Sequence, residues 1–192
     1  MFPLNLPNAL TLGRILLVPV LVVALTVETP GGSTIAAIVF VIAALTDGLD
    51  GYIARSRQSI TTFGKVMDPV ADKLMIAAAL ISLVSLDRLA AWVAMVIIAR
   101  EFAVSALRIA AGQQGVVIPA SGLGKAKTIV QVAAVLALIA ATDHHDAWVQ
   151  ALVYAMVAIT VVSGADYFLN FRRSLEEASR ERRATSAARQ RS

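Results

Sequence analysis

No cysteine occurs anywhere in the 192 residues. That excludes a disulfide framework, an iron–sulfur cluster and a thiolate zinc site, and leaves redox compartment unread from thiol usage. Charge is scarce too: Asp, Glu, Lys and Arg make up 16% of the chain against 58% hydrophobic residues. With a mean hydropathy of +0.74, the composition is too apolar for an ordinary soluble domain and points to an integral membrane protein. The net charge of +4 acquires meaning only once the charges are placed.

Apolar runs of about 17 to 25 residues, long enough to span a bilayer core, fall near 10–28, 34–55, 66–86, 89–111, 125–142 and 147–171. Turn-forming or charged segments separate them, including "ETPGGS" at 28–33 and "DHHD" at 143–146. The first run has no basic leader and ends in Glu-Thr-Pro-Gly-Gly, so a retained span is expected there rather than a cleaved signal peptide. Basic residues are almost lacking on one side. With both termini inside, only Arg88 of the 17 lysines and arginines falls outside, as the positive-inside rule requires. The expected fold is an all-α polytopic membrane protein with six transmembrane helices and cytoplasmic termini. Residues 1–173 would form the membrane domain and 174–192 a basic cytoplasmic tail, read as a solvated or lipid-surface helix.

Within this apolar chain, "LTDGLDGYIARSRQSITTFGKVMDPVADK" at 45–73 brings four aspartates to the cytoplasmic ends of the second and third spans. Asp47 and Asp50 are three residues apart, Asp68 and Asp72 four. At about 100° per residue each pair stays within roughly 60° on one helix face. Ionised carboxylates at membrane depth cost a few kcal/mol each, so four together need partners. Hard oxygen ligands of this kind suit Mg²⁺ or Mn²⁺, and Gly48 and Gly51 leave the face bare enough for a ligand to approach. Solvation, or neutralisation by Arg55, Arg57, Lys65 and Lys73, is the alternative.

The pattern Asp47-x-x-Asp50-Gly51-x-x-Ala54-Arg55, eight residues, Gly64-x-x-x-Asp68-x-x-x-Asp72 resembles the signature of the CDP-alcohol phosphotransferases, and the six-span plan is similar to theirs. The resemblance implies an enzyme of phospholipid biosynthesis that transfers a phosphatidyl-type group from a CDP-linked lipid to an alcohol and releases CMP. It further implies two divalent ions, Mg²⁺ or Mn²⁺, on Asp47, Asp50, Asp68 and Asp72, with Asp72 also the general base. Asp72 lies one turn deeper than Asp68, nearer the lipid phosphate. Gly51, Ala54, Arg55 and Gly64 would line the CDP-lipid pocket. A homodimer, a site facing the cytoplasm in the inner (cytoplasmic) membrane, lipid partners and no nucleic acid complete the expectation.

Segments 5–19, 99–111 and 121–131 resemble members of the family whose donor is CDP-diacylglycerol and whose acceptor is glycerol 3-phosphate. An acidic cluster would repel that anion, so basic residues must hold its phosphate; Arg100, Arg108, Lys125 and Lys127 are the candidates. For Arg108, Lys125 and Lys127 the other reading is positive-inside anchoring; for Arg100 it is an internal ion pair with Glu101. Arg14 and Asn8 read as interfacial anchors or phosphate contacts. Trp92 and Trp148 read as interface anchors, His144 and His145 as a solvated loop, Gly164 and Ala165 as helix-packing positions, and Asp166 as an acid pairing with a basic residue. Other acceptors, namely phosphatidylglycerol (a cardiolipin synthase), inositol phosphate or serine, are the alternatives. An ion or metal transporter is the rival from another class, though it predicts acids spread through the membrane depth rather than gathered at one face.

Overall fold

The computed structural model describes residues 6–27, 32–57, 62–113 and 122–189, with side chains for 9, 11–27, 32–46, 70, 71, 73–113 and 122–177. Among these residues it is all-helical: α1 (Leu6–Thr26), α2 (Gly32–Arg57), α3 (Thr62–Ser85), α4 (Ala91–Gln113), α5 (Gly122–Ala140) and α6 (Ala147–Arg189). Each apolar run read from the sequence is one of these helices. Where they differ is the end of the chain. The sixth run was expected to stop near 171, but α6 continues without a break through Arg173 to Arg189. At 1.5 Å per residue its 43 residues extend about 65 Å, twice the thickness of a hydrocarbon core.

The residues divide into two compact units. The first holds Met1–Ala94 and Gln131–Val153. In it α1 packs along both α2 and α3, whose direct contact with each other is slighter. The buried positions follow helical spacing: Ala36, Val39, Phe40 and Ala43 on α2, Ala71, Met75, Ala79 and Leu83 on α3, Val135, Leu138 and Ile139 on α5. The opposite faces are no more polar. Leu16 and Leu45 are each 63% exposed, and Leu12, Ile35, Ile38, Ile42 and Ile81 are exposed with them. Helices apolar all round need an apolar surrounding, because a soluble protein leaves no such continuous surface in water.

The turn after α3 is built as a Schellman motif. Arg88 N–H donates to Leu83 O and Asp87 N–H to Val84 O, which satisfies carbonyls that the helix end would otherwise orphan. The motif requires a left-handed residue, and Asp87 takes it at φ 55°. Aspartate tolerates that region better than most residues with a Cβ. Arg88, the one basic residue expected outside, donates from Nη1 to Ile139 O at 3.2 Å and so caps the end of α5.

The second unit holds Met95–Val130 and Tyr154–Ser192. Ile97, Val104 and Ala111 are buried at intervals of seven along α4, and Met156, Thr160, Ser163 and Tyr167 at four-three-four intervals along α6. This is the seam spacing of closely packed helices. Two seam positions on α6, Thr160 and Ser163, are polar.

By length and composition α5 and the stretch Ala147–Glu177 of α6 can cross a membrane, and only 33% and 28% of their most apolar windows is buried. Their exposed apolar surface points to a membrane setting. Charge distinguishes α4 from them: every 18-residue window of this helix contains Arg100, Glu101 and Arg108.

Candidate active site

Asp47 and Asp50 lie in the last three turns of α2, and Asp68 and Asp72 in the first three turns of α3. Both segments have helical backbone, so the pairs stand about 4.5 Å and 6 Å apart along their axes and each shares a face. Four residues, 58–61, separate the two helices. The side chains of these aspartates, and of Gly51, Ala54, Arg55 and Gly64, lie outside the described residues; what the fold provides is their placement on two sequential helices that share α1 as a packing partner.

On α1, Arg14 is only 2% exposed and Thr11 is fully buried. An interfacial anchor keeps its charged head in water, so the anchoring reading of Arg14 is corrected: α1 carries a buried arginine within the unit that holds the aspartates.

The basic candidates belong to the second unit and divide by exposure. Lys125 and Lys127 are two residues apart on α5 and therefore point about 200° apart; Lys125 is exposed and Lys127 buried. Lys127 Nζ donates to Glu101 Oε1 at 2.5 Å. Arg100 Nη1 donates to the same oxygen at 3.2 Å, and Nη2 to Ser163 Oγ at 3.1 Å. Ser163 spends its own proton on Thr160 O at 3.1 Å, which leaves its lone pairs facing the guanidinium. Gly164 completes the cradle, because a Cβ there would stand 3.2 Å from Arg100 Cγ. Arg108 is exposed, its Cζ 5.8 Å from the centre of the Tyr167 ring, within cation–π range. The structure thus joins Arg100 and Lys127 through Glu101, while Arg108 and Lys125 stand outside that cluster.

Glu101 joins both cations, so one carboxylate offsets part of two buried positive charges. The compensation is incomplete. Arg100 Nε, Thr160 Oγ1, Tyr167 Oη and Asp166 Oδ2 are buried and meet no hydrogen-bond partner, each a cost of about 1–3 kcal/mol. Asp166 Oδ1 accepts from Asn170 Nδ2 at 3.3 Å, so its partner among the described residues is an amide on its own helix rather than a basic residue.

Sequence reasoning found the Arg100–Glu101 pair but missed the link to Lys127, 26 positions away, and the role of Ser163. A serine next to a glycine, three residues after Thr160 in an apolar run, was the available signal. Near the loop after α5, His145 N–H donates to Asp143 Oδ1 at 2.8 Å and Trp148 Nε1 to Asp146 Oδ2 at 3.3 Å. The histidines thus sit in a turn organised by aspartates, and Trp148 is 54% exposed.

A protein of Bacillus subtilis named CDP-diacylglycerol–glycerol-3-phosphate 3-phosphatidyltransferase is 41% identical over 180 residues, covering 85% of this chain and 93% of its own length. A probable phosphatidylglycerophosphate synthase of Mycobacterium tuberculosis is 40% identical over 168 residues, with 85% and 79% covered. A rice cardiolipin synthase (CMP-forming) is 41% identical over 174 residues, 83% of this chain but 53% of that protein. The family model for CDP-alcohol phosphatidyltransferase matches residues 4–162, a stretch that takes in the whole aspartate pattern and all four basic candidates. The chain belongs to the CDP-alcohol phosphatidyltransferase family of enzymes.

Proposed function

We propose that the protein transfers the phosphatidyl group of CDP-diacylglycerol to glycerol 3-phosphate, giving phosphatidylglycerophosphate and CMP. The observation that carries this reading is the Asp47-to-Asp72 pattern on the two helical segments of α2 and α3, in a chain that relatives of that name match over most of both lengths. The similarity to a cardiolipin synthase supports phosphatidylglycerol as the second acceptor to test.

The acceptor hydroxyl attacks the phosphorus that carries diacylglycerol; a new P–O bond forms, the diphosphate P–O bond breaks, and CMP leaves. Asp72 takes the hydroxyl proton. Gly51, Ala54 and Gly64 leave room for the CDP group, and Arg55 holds a phosphate. Asp47, Asp50, Asp68 and Asp72 would hold two divalent cations, Mg²⁺ or Mn²⁺. The donor set fits such ions: four carboxylates, whose oxygens are all hard, on helical backbone that keeps each pair on one face. When bound, the ions supply charge neutralisation to the diphosphate and its leaving group.

Arg100 and Lys127 hold the acceptor's phosphate, and the exposed Arg108 and Lys125 meet it first, on its way in. Six spans, cytoplasmic termini and a site open to the cytoplasm of the inner membrane follow from the distribution of basic residues, with lipids around the apolar faces and a homodimer as the working unit by family likeness.

The direct test is CMP release from CDP-diacylglycerol with glycerol 3-phosphate, compared with phosphatidylglycerol, inositol phosphate and serine. Within it, Lys125→Ala is expected to raise the KM for glycerol 3-phosphate roughly ten-fold, the loss of one charge-assisted contact, with the KM for CDP-diacylglycerol unchanged. An unaltered acceptor KM would return Lys125 to membrane anchoring.

A further inference from the structure

We propose that Glu101 is a positioning residue of the acceptor site, holding Lys127 in place beside Arg100 and so setting the affinity for the acceptor's phosphate. This rests on the reading that these two cations face that phosphate.

The two cations depend on Glu101 to different degrees. Arg100 is fixed three ways: Nη1 on Glu101 at 3.2 Å, Nη2 on Ser163 at 3.1 Å, and its stem laid over Gly164 where a Cβ would be 3.2 Å away. Lys127 has Glu101 alone among the described residues, and its side chain is 8% exposed. Both donors reach one oxygen, Oε1, so the cations stand less than about 6 Å apart and repel each other whenever the carboxylate is neutralised. A buried ammonium on a flexible four-carbon stem, repelled by a guanidinium that cannot move, withdraws toward water. With the carboxylate present the pair is held together, and two cations against one anion leave a net positive charge for a phosphate. Glu101 acts through its partners; it has no need to touch substrate.

The test uses the full-length enzyme in micelles containing CDP-diacylglycerol, with kcat and both KM values measured for Glu101→Gln, Glu101→Asp, Lys127→Met and the double variant Glu101→Gln/Lys127→Met. Glu101→Gln is expected to raise the glycerol 3-phosphate KM roughly ten-fold or more, leaving the CDP-diacylglycerol KM unchanged and kcat within a small factor. Glu101→Asp keeps the charge one methylene short and raises the acceptor KM only a few-fold. The double variant is no worse than Lys127→Met, because Glu101 works through Lys127.

Three outcomes overturn the proposal, each for a different reason. If Lys127→Met raises the acceptor KM and Glu101→Gln does not, the acceptor reading stands and the positioning role fails. If Lys127→Met itself leaves the acceptor KM unchanged, the acceptor reading of Lys127 falls and takes the proposal with it. If Glu101→Gln weakens both substrates and kcat together, with Glu101→Asp no better, the carboxylate is only a structural counter-ion. Should Glu101→Gln not accumulate in membranes, Glu101→Asp decides: a selective few-fold rise in acceptor KM supports the proposal, and no change refutes it.

Discussion

Asp72→Asn is expected to lower turnover by about 10²- to 10⁴-fold, the usual contribution of a positioned general base, and to stay low when divalent metal is raised. Asparagine has nearly the size of aspartate and keeps one oxygen that can face a cation, but it has neither the charge nor the capacity to accept the hydroxyl proton. Asp68→Asn separates the two roles. If Asp68 is a ligand alone, its substitution weakens metal binding, and saturating Mg²⁺ or Mn²⁺ recovers part of the lost turnover. Because both positions sit on the helical backbone of α3, four residues apart, the two variants perturb the same helix face and the comparison isolates chemistry from folding. A metal titration of both variants reads the difference. Recovery of Asp72→Asn with metal, and none for Asp68→Asn, would reverse the assignment.

Excess chelator is expected to bring CMP release to background, and Mg²⁺ or Mn²⁺ to restore it. The argument is electrostatic. Two unit negative charges about 6 Å apart repel by roughly 3 kcal/mol at an effective dielectric of 20, and four carboxylates meeting a diphosphate multiply such terms. Arg55, Arg57, Lys65 and Lys73 are interspersed with the acids in sequence, but compensating them leaves no cation to neutralise the diphosphate. Undiminished CMP release in excess chelator would show that these basic residues suffice and that the aspartates hold no essential ion.

Helix placement was legible because the helices are long apolar runs bounded by polar turns, and that signal is local. The aspartate pattern was legible for the same reason: its spacing is helical on both α2 and α3. The chain's end was less so. Charge becomes dense from Arg172, which in a hydropathy reading separates the sixth run from a helical tail, yet backbone helicity is indifferent to that change and α6 runs on unbroken to Arg189. Contacts between distant positions were not legible at all. Glu101 and Lys127 are joined by packing of different helices, and nothing local distinguishes the buried Lys127 from the exposed Lys125. Arg14 was misread as an anchor because a charge near a span end usually stays wet, whereas this one is enclosed. Asp87 shows a third limit: "LDR" at 86–88 separates two apolar runs, but the left-handed residue of that turn is set by the Schellman hydrogen bonds of the helix end.

The central claim concerns which bond is made, and one assay addresses it. The purified protein is given CDP-diacylglycerol and Mg²⁺ with glycerol 3-phosphate, phosphatidylglycerol, inositol phosphate or serine in turn, and CMP and the lipid product are followed together. The account predicts CMP release in step with phosphatidylglycerophosphate when glycerol 3-phosphate is present, and little with the other three. Efficient release with phosphatidylglycerol, inositol phosphate or serine, and none with glycerol 3-phosphate, would contradict it.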